Sequence, residues 1–241
     1  MTGPAPSRSC LWTWAGRHDY DASHKWQQER VVERQQGAAR DTFLLLEHPP
    51  VITLGRNARR KNLRHPEALL RARGIAVAET GRGGDVTYHG PGQVVGYPLI
   101  RLGPDRRDVR RYVHDLEEVL IRTAAAYGVQ AGRVQGLPGV WTGGEKLAAI
   151  GVRISRWVTS HGFAFNVSTE LSAFDLIVPC GIPACRVTSL RRILGREIPL
   201  DQVARRLAER FGEVFDFEMI RSPPEALLGT REGPGSRKES A

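Results

Sequence analysis

Two side chains in this 241-residue sequence have the chemistry for a covalent group transfer: Cys180, in LIVPCGIP, and Lys146, directly after TGGE. Cys180 follows an apolar run that stops at Pro179 and turns at Gly181, which puts a side chain at a sheet edge with limited freedom. A thiol so placed is either a nucleophile or a small buried hydrophobe, since free cysteine is among the most buried residue types. The only lysines are Lys25, Lys61, Lys146 and Lys238, so arginine is the default cation. Lys146 is therefore either a solvated group at a strand end or a cation that, unlike arginine, can give up a proton. Beside a thiol its ammonium would lower the thiol pKa from about 8.5 and enlarge the small thiolate fraction present at neutral pH. That pairing suits acyl transfer to an amine.

The remaining candidates are weaker. Cys10 lies near the N-terminus and reads as inert. Cys185 follows Cys180 too distantly for the usual zinc spacing, and no Cys/His pair supplies it elsewhere, so no metal site is expected. His89 and His161 each sit beside glycine within strand-like segments, where a hydrogen-bonded structural role and a catalytic one both fit. RGGDVTYHGPGQVVGYP, at 82–98, sets five glycines among strand formers. Glycine weakens a strand interior, so the pattern implies that something approaches the backbone closely. It is not a phosphate loop: the G-x-x-x-x-G-K-[ST] pattern is missing and no helix follows.

The elements that must position these groups are a mixture of strands and a few helices. Apolar residues at three- and four-residue spacing predict helices at about 108–127, closed by Gly128, and at about 201–215. Weaker patterns predict helices at 22–35 and 66–73. Strands are expected at 42–48, 51–55, 75–80, 94–100, 146–154 and 157–167, the last two as a hairpin. In the last, Trp157, Thr159, His161, Phe163, Phe165 and Val167 are expected to share one face. Adjacent strands interrupted by helices predict an α+β domain with a mixed β-sheet. The polar tail after 228 predicts disorder.

Composition narrows the class. Hydrophobic residues make up 41% and charged residues 25%, with a net charge of +9, so the surface should attract acidic partners. No apolar run reaches the ~18 residues of a membrane span, no secretory leader is read at the N-terminus, and an odd number of cysteines forms no disulfide framework. A cytoplasmic location is expected.

Taken together, several segments resemble the lipoate-protein ligase B family, the octanoyl-[acyl-carrier-protein]:protein octanoyltransferases. They are LLLEHPPVITLGR (44–56), the stretch at 82–98, GVWTGGEKLAAIGVRI (139–154), HGFAFNV (161–167) and IVPCGI (177–182), in the family's order. The resemblance implies one catalytic domain, 1–215 with a core from about 40, and an extension at 216–241. It implies the mixed sheet and helices of biotin- and lipoate-ligase catalytic domains. Cys180 matches the family's nucleophile and Lys146 the lysine that tunes it and relays protons. Arg82, Gly83, Gly84, Asp85, Val86, Thr87, Tyr88 and His89 match the acyl-binding segment. Ala149, Ile150 and Gly151, and Gly162, Phe163 and Ala164, match two further substrate-contacting segments. The object lying against the glycines would then be an eight-carbon chain, its burial contributing about 0.8 kcal/mol per methylene. Octanoyl-acyl carrier protein is the implied donor. Lipoyl domains of 2-oxoacid dehydrogenase complexes and the glycine cleavage H protein are the implied acceptors, with no cofactor, nucleic acid or membrane involved. Cys185 and Ala149 depart from the family pattern. An ATP-dependent lipoate or biotin ligase on the same fold, a basic nucleic-acid-binding domain and a non-catalytic carrier-binding relative are the rival readings.

Overall fold

The computed structural model describes residues 8–179 and 185–229, so Cys180 lies outside the described residues. The chain runs β1 (Arg8–Arg17), α1 (Tyr20–Gln36), β2 (Thr42–Glu47), β3 (Val51–Leu54), α2 (Glu67–Ala72), β4 (Ala76–Glu79), β5 (Val86–His89) and β6 (Gln93–Leu99). It continues with α3 (Val109–Ala125), β7 (Gly132–Val134), β8 (Leu137–Thr142), β9 (Glu145–Ser155), β10 (Val158–Asn166), α4 (Leu190–Leu194), α5 (Leu200–Phe215), β11 (Phe217–Arg221) and α6 (Pro224–Leu228). Eight strands pair in the order β11-β1-β2-β6-β10-β9-β8-β7, and β4-β3-β5 form a second sheet. β1 is parallel to both β11 and β2, whereas the pairs from β2 onward are antiparallel. This is the expected mixed-sheet α+β architecture.

Buried side chains sort onto the two faces of the large sheet. Phe43 and Leu45 of β2 join α3 and α5 in the main core, while Leu44 and Leu46 join Val95, Tyr97 and Ala164 on the opposite face, towards α1. A central strand covered on both sides is apolar through its middle, which explains the unbroken run from Phe43 to Leu46. The amphipathic pattern at 108–127 becomes α3, whose Asp108 cap accepts from the Arg110 and Arg111 amides. Such caps contribute about 1 kcal/mol. Gly128, at φ +76°, follows the helix as expected.

The helix expected at 22–35 is α1, although it buries Tyr20, Ser23 and Gln27, a polar face that hydrophobic periodicity marks only weakly. Several other elements escaped the sequence pattern. β1, β7, β8, β11, α4 and α6 were not anticipated. Trp157 is not a strand residue: with Arg156 it forms the two-residue turn between β9 and β10, both residues at positive φ. That is the turn geometry that matches strand twist, here adopted without glycine. Residues 217–228, expected as an extension, belong to the fold. β11 runs in register with β1, and the Leu227 carbonyl accepts from Trp26 Nε1 at 2.7 Å. Among the described residues no helix is long and apolar enough to cross a membrane.

Candidate active site

A cavity of about 260 Å³ lies between the second sheet, the start of α1 and the α1-side face of β6, β9 and β10. Its wall includes Arg82, Gly84, Asp85, Val86, Thr87 and His89 from the segment leading into β5. β9 adds Lys146, Ala149, Ile150 and Gly151, and β10 adds Gly162, Phe163 and Ala164. Of the expected described positions only Gly83 and Tyr88 do not line it. Side chains alternate along β5, so Tyr88 turns away from Thr87 and His89, its ring edge-on to Phe174 with centroids 5.5 Å apart. Gly83 instead donates its amide to the Val152 carbonyl at 2.9 Å, tying the segment to β9.

Sequence reasoning did not assign Tyr20, Val95, Tyr97, His161 or residues 136–138 to this wall. Tyr97 stands within the glycine-rich stretch itself. His161 stood out as a candidate but had no partner in sequence to place it.

The glycines serve two purposes. Gly84, Gly151 and Gly162 do line the cavity. Gly90 and Gly96, however, are small because of the protein's own side chains: an added Cβ would fall 2.1 Å from the Tyr88 hydroxyl and 2.4 Å from the Phe163 ring. The close approach inferred from the stretch is thus in part an internal packing requirement.

Lys146 occupies the junction of two spaces. It is 4% exposed, with its ammonium 4.7 Å from the centroid of the Trp141 ring, a favourable cation–π placement. The glycine pair Gly143–Gly144, at φ +55° and +77°, closes the β8–β9 hairpin and sets Lys146 opposite Trp141. Besides the main cavity, Lys146 lines a small recess shared with Asn166, Pro179 and Val187. Pro179 is the chain neighbour of Cys180. The Lys146 amide donates to the Arg186 carbonyl at 2.8 Å, and its carbonyl accepts from the Thr188 amide at 3.0 Å. Val178 donates to the Asn62 carbonyl at 2.8 Å, and Asn62 Nδ2 donates to Asp85 Oδ2 at 2.6 Å. The described residues on either side of 180–184 are therefore anchored, one to the Asp85 loop and the other to Lys146.

One chain of buried hydrogen bonds crosses this site with a fixed direction. Thr188 offers a carbonyl, which can only accept, so Asn166 must donate Nδ2 to it, at 3.0 Å. Asn166 Oδ1 then accepts from Gln93 Nε2 at 2.9 Å, and Gln93 Oε1 accepts from His89 Nδ1 at 2.8 Å. His89 is thereby held as the Nδ1–H tautomer, with Nε2 left to accept from the Thr53 hydroxyl at 3.3 Å. Thr53 Oγ1 in turn accepts from Arg82 Nη2 at 2.8 Å. Each polar group in this chain has a partner, so burying it carries no desolvation penalty for an orphaned group. Thr53, Gln93 and Asn166 lie within the resembling segments at 44–56, 82–98 and 161–167 but were given no role there, because what they do is hold other side chains.

Electrostatics agree with that tautomer. Burial, reinforced by His48, pushes His89 down to about 3, and burial pushes His161 down to about 3 as well. His48, also buried, falls to about 4; its Nδ1 donates to the His18 carbonyl, leaving Nε2 to accept from Tyr97 Oη at 2.7 Å. At neutral pH these imidazoles are uncharged. The formal charges on the cavity wall are those of Arg82, Lys146 and Asp85, and the Asp85 carboxylate is turned to the Arg59 and Val86 amides and to Asn62. An apolar cavity with one buried lysine at its end suits an uncharged acyl chain attached to a reacting carbonyl.

Comparison with known proteins gives a consistent picture. Residues 19–212 match the model of the Lipoyl protein ligase A/B catalytic domain. Octanoyltransferases from Solibacter usitatus and Rubrobacter xylanophilus are 52% and 53% identical, covering 88% and 83% of this chain and 96% and 90% of theirs. The octanoyltransferase from Myxococcus xanthus is 50% identical over 87% of this chain, which spans 60% of that relative's length. Among solved structures, a lipoate-protein ligase A bound with ATP superposes with a TM-score of 0.70 at 15% identity, covering 92% of both chains. A bi-partite lipoate protein ligase from Thermoplasma acidophilum gives 0.67 at 15% identity, covering 92% of this chain and 90% of that one. These distant likenesses bear on the fold.

Proposed function

The chain belongs to the lipoyl protein ligase A/B catalytic-domain family, on its octanoyltransferase side, and we propose that it moves an octanoyl group from acyl carrier protein to a lipoyl-domain lysine through Cys180. The observation that carries this reading is the position of Lys146, buried where the apolar cavity meets the recess lined by Pro179.

In the first half-reaction the Cys180 thiolate attacks the donor's thioester carbonyl. The tetrahedral adduct collapses, the C–S bond to the carrier breaks, and the carrier thiolate leaves and takes a proton. The Lys146 ammonium favours the Cys180 thiolate by Coulombic attraction and supplies that proton. In the second, a lysine amine attacks the acyl-enzyme, forming the C–N bond while the bond to Cys180 breaks. Neutral Lys146 accepts the proton that the amine must lose. A thioester exchanged for a thioester and then for an amide needs no nucleotide. The segment 82–89, with Ala149–Gly151 and Gly162–Ala164, holds the acyl chain, and His89 with its hydrogen-bonded chain keeps that wall in register. Residues 8–229 act as one catalytic unit in this reading. The acceptors are lipoyl domains of 2-oxoacid dehydrogenase complexes and the glycine cleavage H protein. The cytoplasm is the compartment, where a thiol such as Cys180 stays reduced.

The test is intact-protein mass spectrometry after mixing with octanoyl-acyl carrier protein without ATP, for wild type, Cys180→Ser and Cys185→Ser. A hydroxylamine-labile octanoyl adduct lost only in Cys180→Ser is expected. Transfer that appears only with ATP and free acid would sink the reading and leave a ligase.

A further inference from the structure

The loop between β3 and α2 holds a cluster of positive charge that the reaction just described does not use. Arg56, Arg59, Arg60, Lys61 and Arg64 are all exposed. Arg60 faces the nearby carboxylates of Glu67 and Glu79. Arg56, Arg59, Lys61 and Arg64 enter no salt bridge among the described residues, so their charge is directed to solvent.

This loop runs along the cavity wall. The Arg56 amide donates to the Arg82 carbonyl at 3.0 Å, the Asn57 amide to the Gly84 carbonyl at 3.1 Å, and the Arg59 amide to Asp85 Oδ1 at 3.2 Å. Its far end adjoins the residues ahead of Cys180: the Arg64 amide donates to the Leu176 carbonyl at 2.9 Å, and Asn62 accepts from Val178. The cations thus flank both the acyl wall and the chain leading to the nucleophile. Asp85 turns its carboxylate inward to the Arg59 amide and Asn62 Nδ2, away from the exposed guanidinium and ammonium groups.

We propose that the loop at 56–64 is the docking surface for the acidic carrier domain that brings the acyl thioester on a phosphate-bearing arm. The proposal rests on the octanoyl-transfer reading. The phosphate on the donor's arm is the feature that favours it here. A carrier's arm is joined through a phosphodiester, and its acidic surface adds to that negative charge, so four uncompensated cations attract it and speed encounter. Lipoyl domains are typically acidic as well but carry no such arm, so the phosphodiester is what distinguishes the donor.

The experiment uses the full chain with Arg59→Glu, Lys61→Glu and Arg64→Glu combined, none of which alters a side chain of the cavity wall. Acyl-enzyme formation is followed by rapid quench with two donors: octanoyl-acyl carrier protein, and octanoyl-pantetheine, which has neither the protein nor the phosphate. The expected result is a fall of about ten- to a hundredfold in kcat/KM with the carrier donor, a flattened dependence on ionic strength, and an unchanged rate with octanoyl-pantetheine. An unchanged carrier rate, or equal losses with both donors, would overturn the proposal. So would normal acylation followed by slowed transfer from preformed acyl-enzyme to a lipoyl domain, which would assign the loop to the acceptor. Wild-type protein that forms no acyl-enzyme with either donor would overturn the octanoyl-transfer reading itself, and the proposal with it.

Discussion

On one face of the large sheet, Phe43, Leu45, Phe165 and Val167 meet Leu116 and Leu120 of α3 and Leu207 and Phe211 of α5. On the other, the same strands present Tyr97, Ala164 and Asn166 to a cavity, a recess and a chain of hydrogen bonds. The two faces share a backbone, so a shift in strand register would move both. They differ in what fills the space. The first is closed by side chains packed at close to crystal density. The second is left partly empty and kept in shape by small residues and by the directed hydrogen-bond chain from Thr188 to Arg82. One face supplies the stability, and the other is free to leave room for a ligand.

Substitutions can separate these roles. The largest effect on chemistry is expected from Lys146→Arg, which keeps the positive charge but removes a cation able to give up its proton. Transfer to the amine should fall by about 10²–10⁴-fold with little change in the denaturation midpoint. Undiminished turnover would leave Lys146 with an electrostatic role only. Phe165→Ala should do the converse. It should cost about 3–5 kcal/mol in urea unfolding, while activity per folded molecule stays within about twofold. A comparable loss of specific activity would mean that the packed face tunes the site.

Asn166→Ala lies between these extremes. It removes one of the two acceptors of Gln93 Nε2, which keeps the Tyr88 carbonyl at 3.3 Å, and takes the Asn166 donor from the Thr188 carbonyl, costing about 1–3 kcal/mol of stability. Because Thr188 pairs with Lys146, kcat should fall more than KM changes; an effect confined to stability would show that the hydrogen-bonded chain does not position the site. The mildest effect is that of pH. His48, His89 and His161 have folded pKa values pushed below the ordinary 6.5, so below that value the unfolded chain binds protons that the folded chain refuses. Their contribution is fully present above about 6.5 and is lost as pH falls towards 4 and then 3. His48→Gln should therefore flatten the decline in denaturation midpoint between pH 6.5 and 4. An unaltered pH profile would contradict burial of a neutral imidazole there.

The packed face was the more legible of the two. α3 and α5 repeat apolar residues at helical spacing because each lies with one side on the sheet, and β2 is apolar from Phe43 to Leu46 because it is covered twice. The cavity face gave weaker signals. α1 packs through Tyr20, Ser23 and Gln27, which no hydrophobic period marks. β7 and β8 are short and carry Gly132, Pro138 and Gly139, which read as turns. The acyl-wall segments at 82–89, 149–151 and 162–164 were found only by resemblance, and most of those positions do line one cavity. Gly90 and Gly96 misled because a glycine admits a neighbouring Tyr88 or Phe163 ring as readily as a ligand. Thr53, Gln93 and Asn166 have ordinary side chains whose meaning arises only when distant strands meet.

The parallel pairing of β1 with β11 has a consequence in time as well as space. Arg8 sits opposite Phe217 and Trp12 opposite Arg221, so β1 finds that neighbour only after every element between them has been synthesised. Loop-closure entropy grows slowly with separation, but contacts this non-local are made late and slow folding. Until then β1 presents an open row of amides and carbonyls, the kind of edge that invites another chain. A nascent chain halted before residue 217 would hold α1 to α5 and the central strands yet leave that edge open to self-association, which makes β11 a safeguard on the folding route.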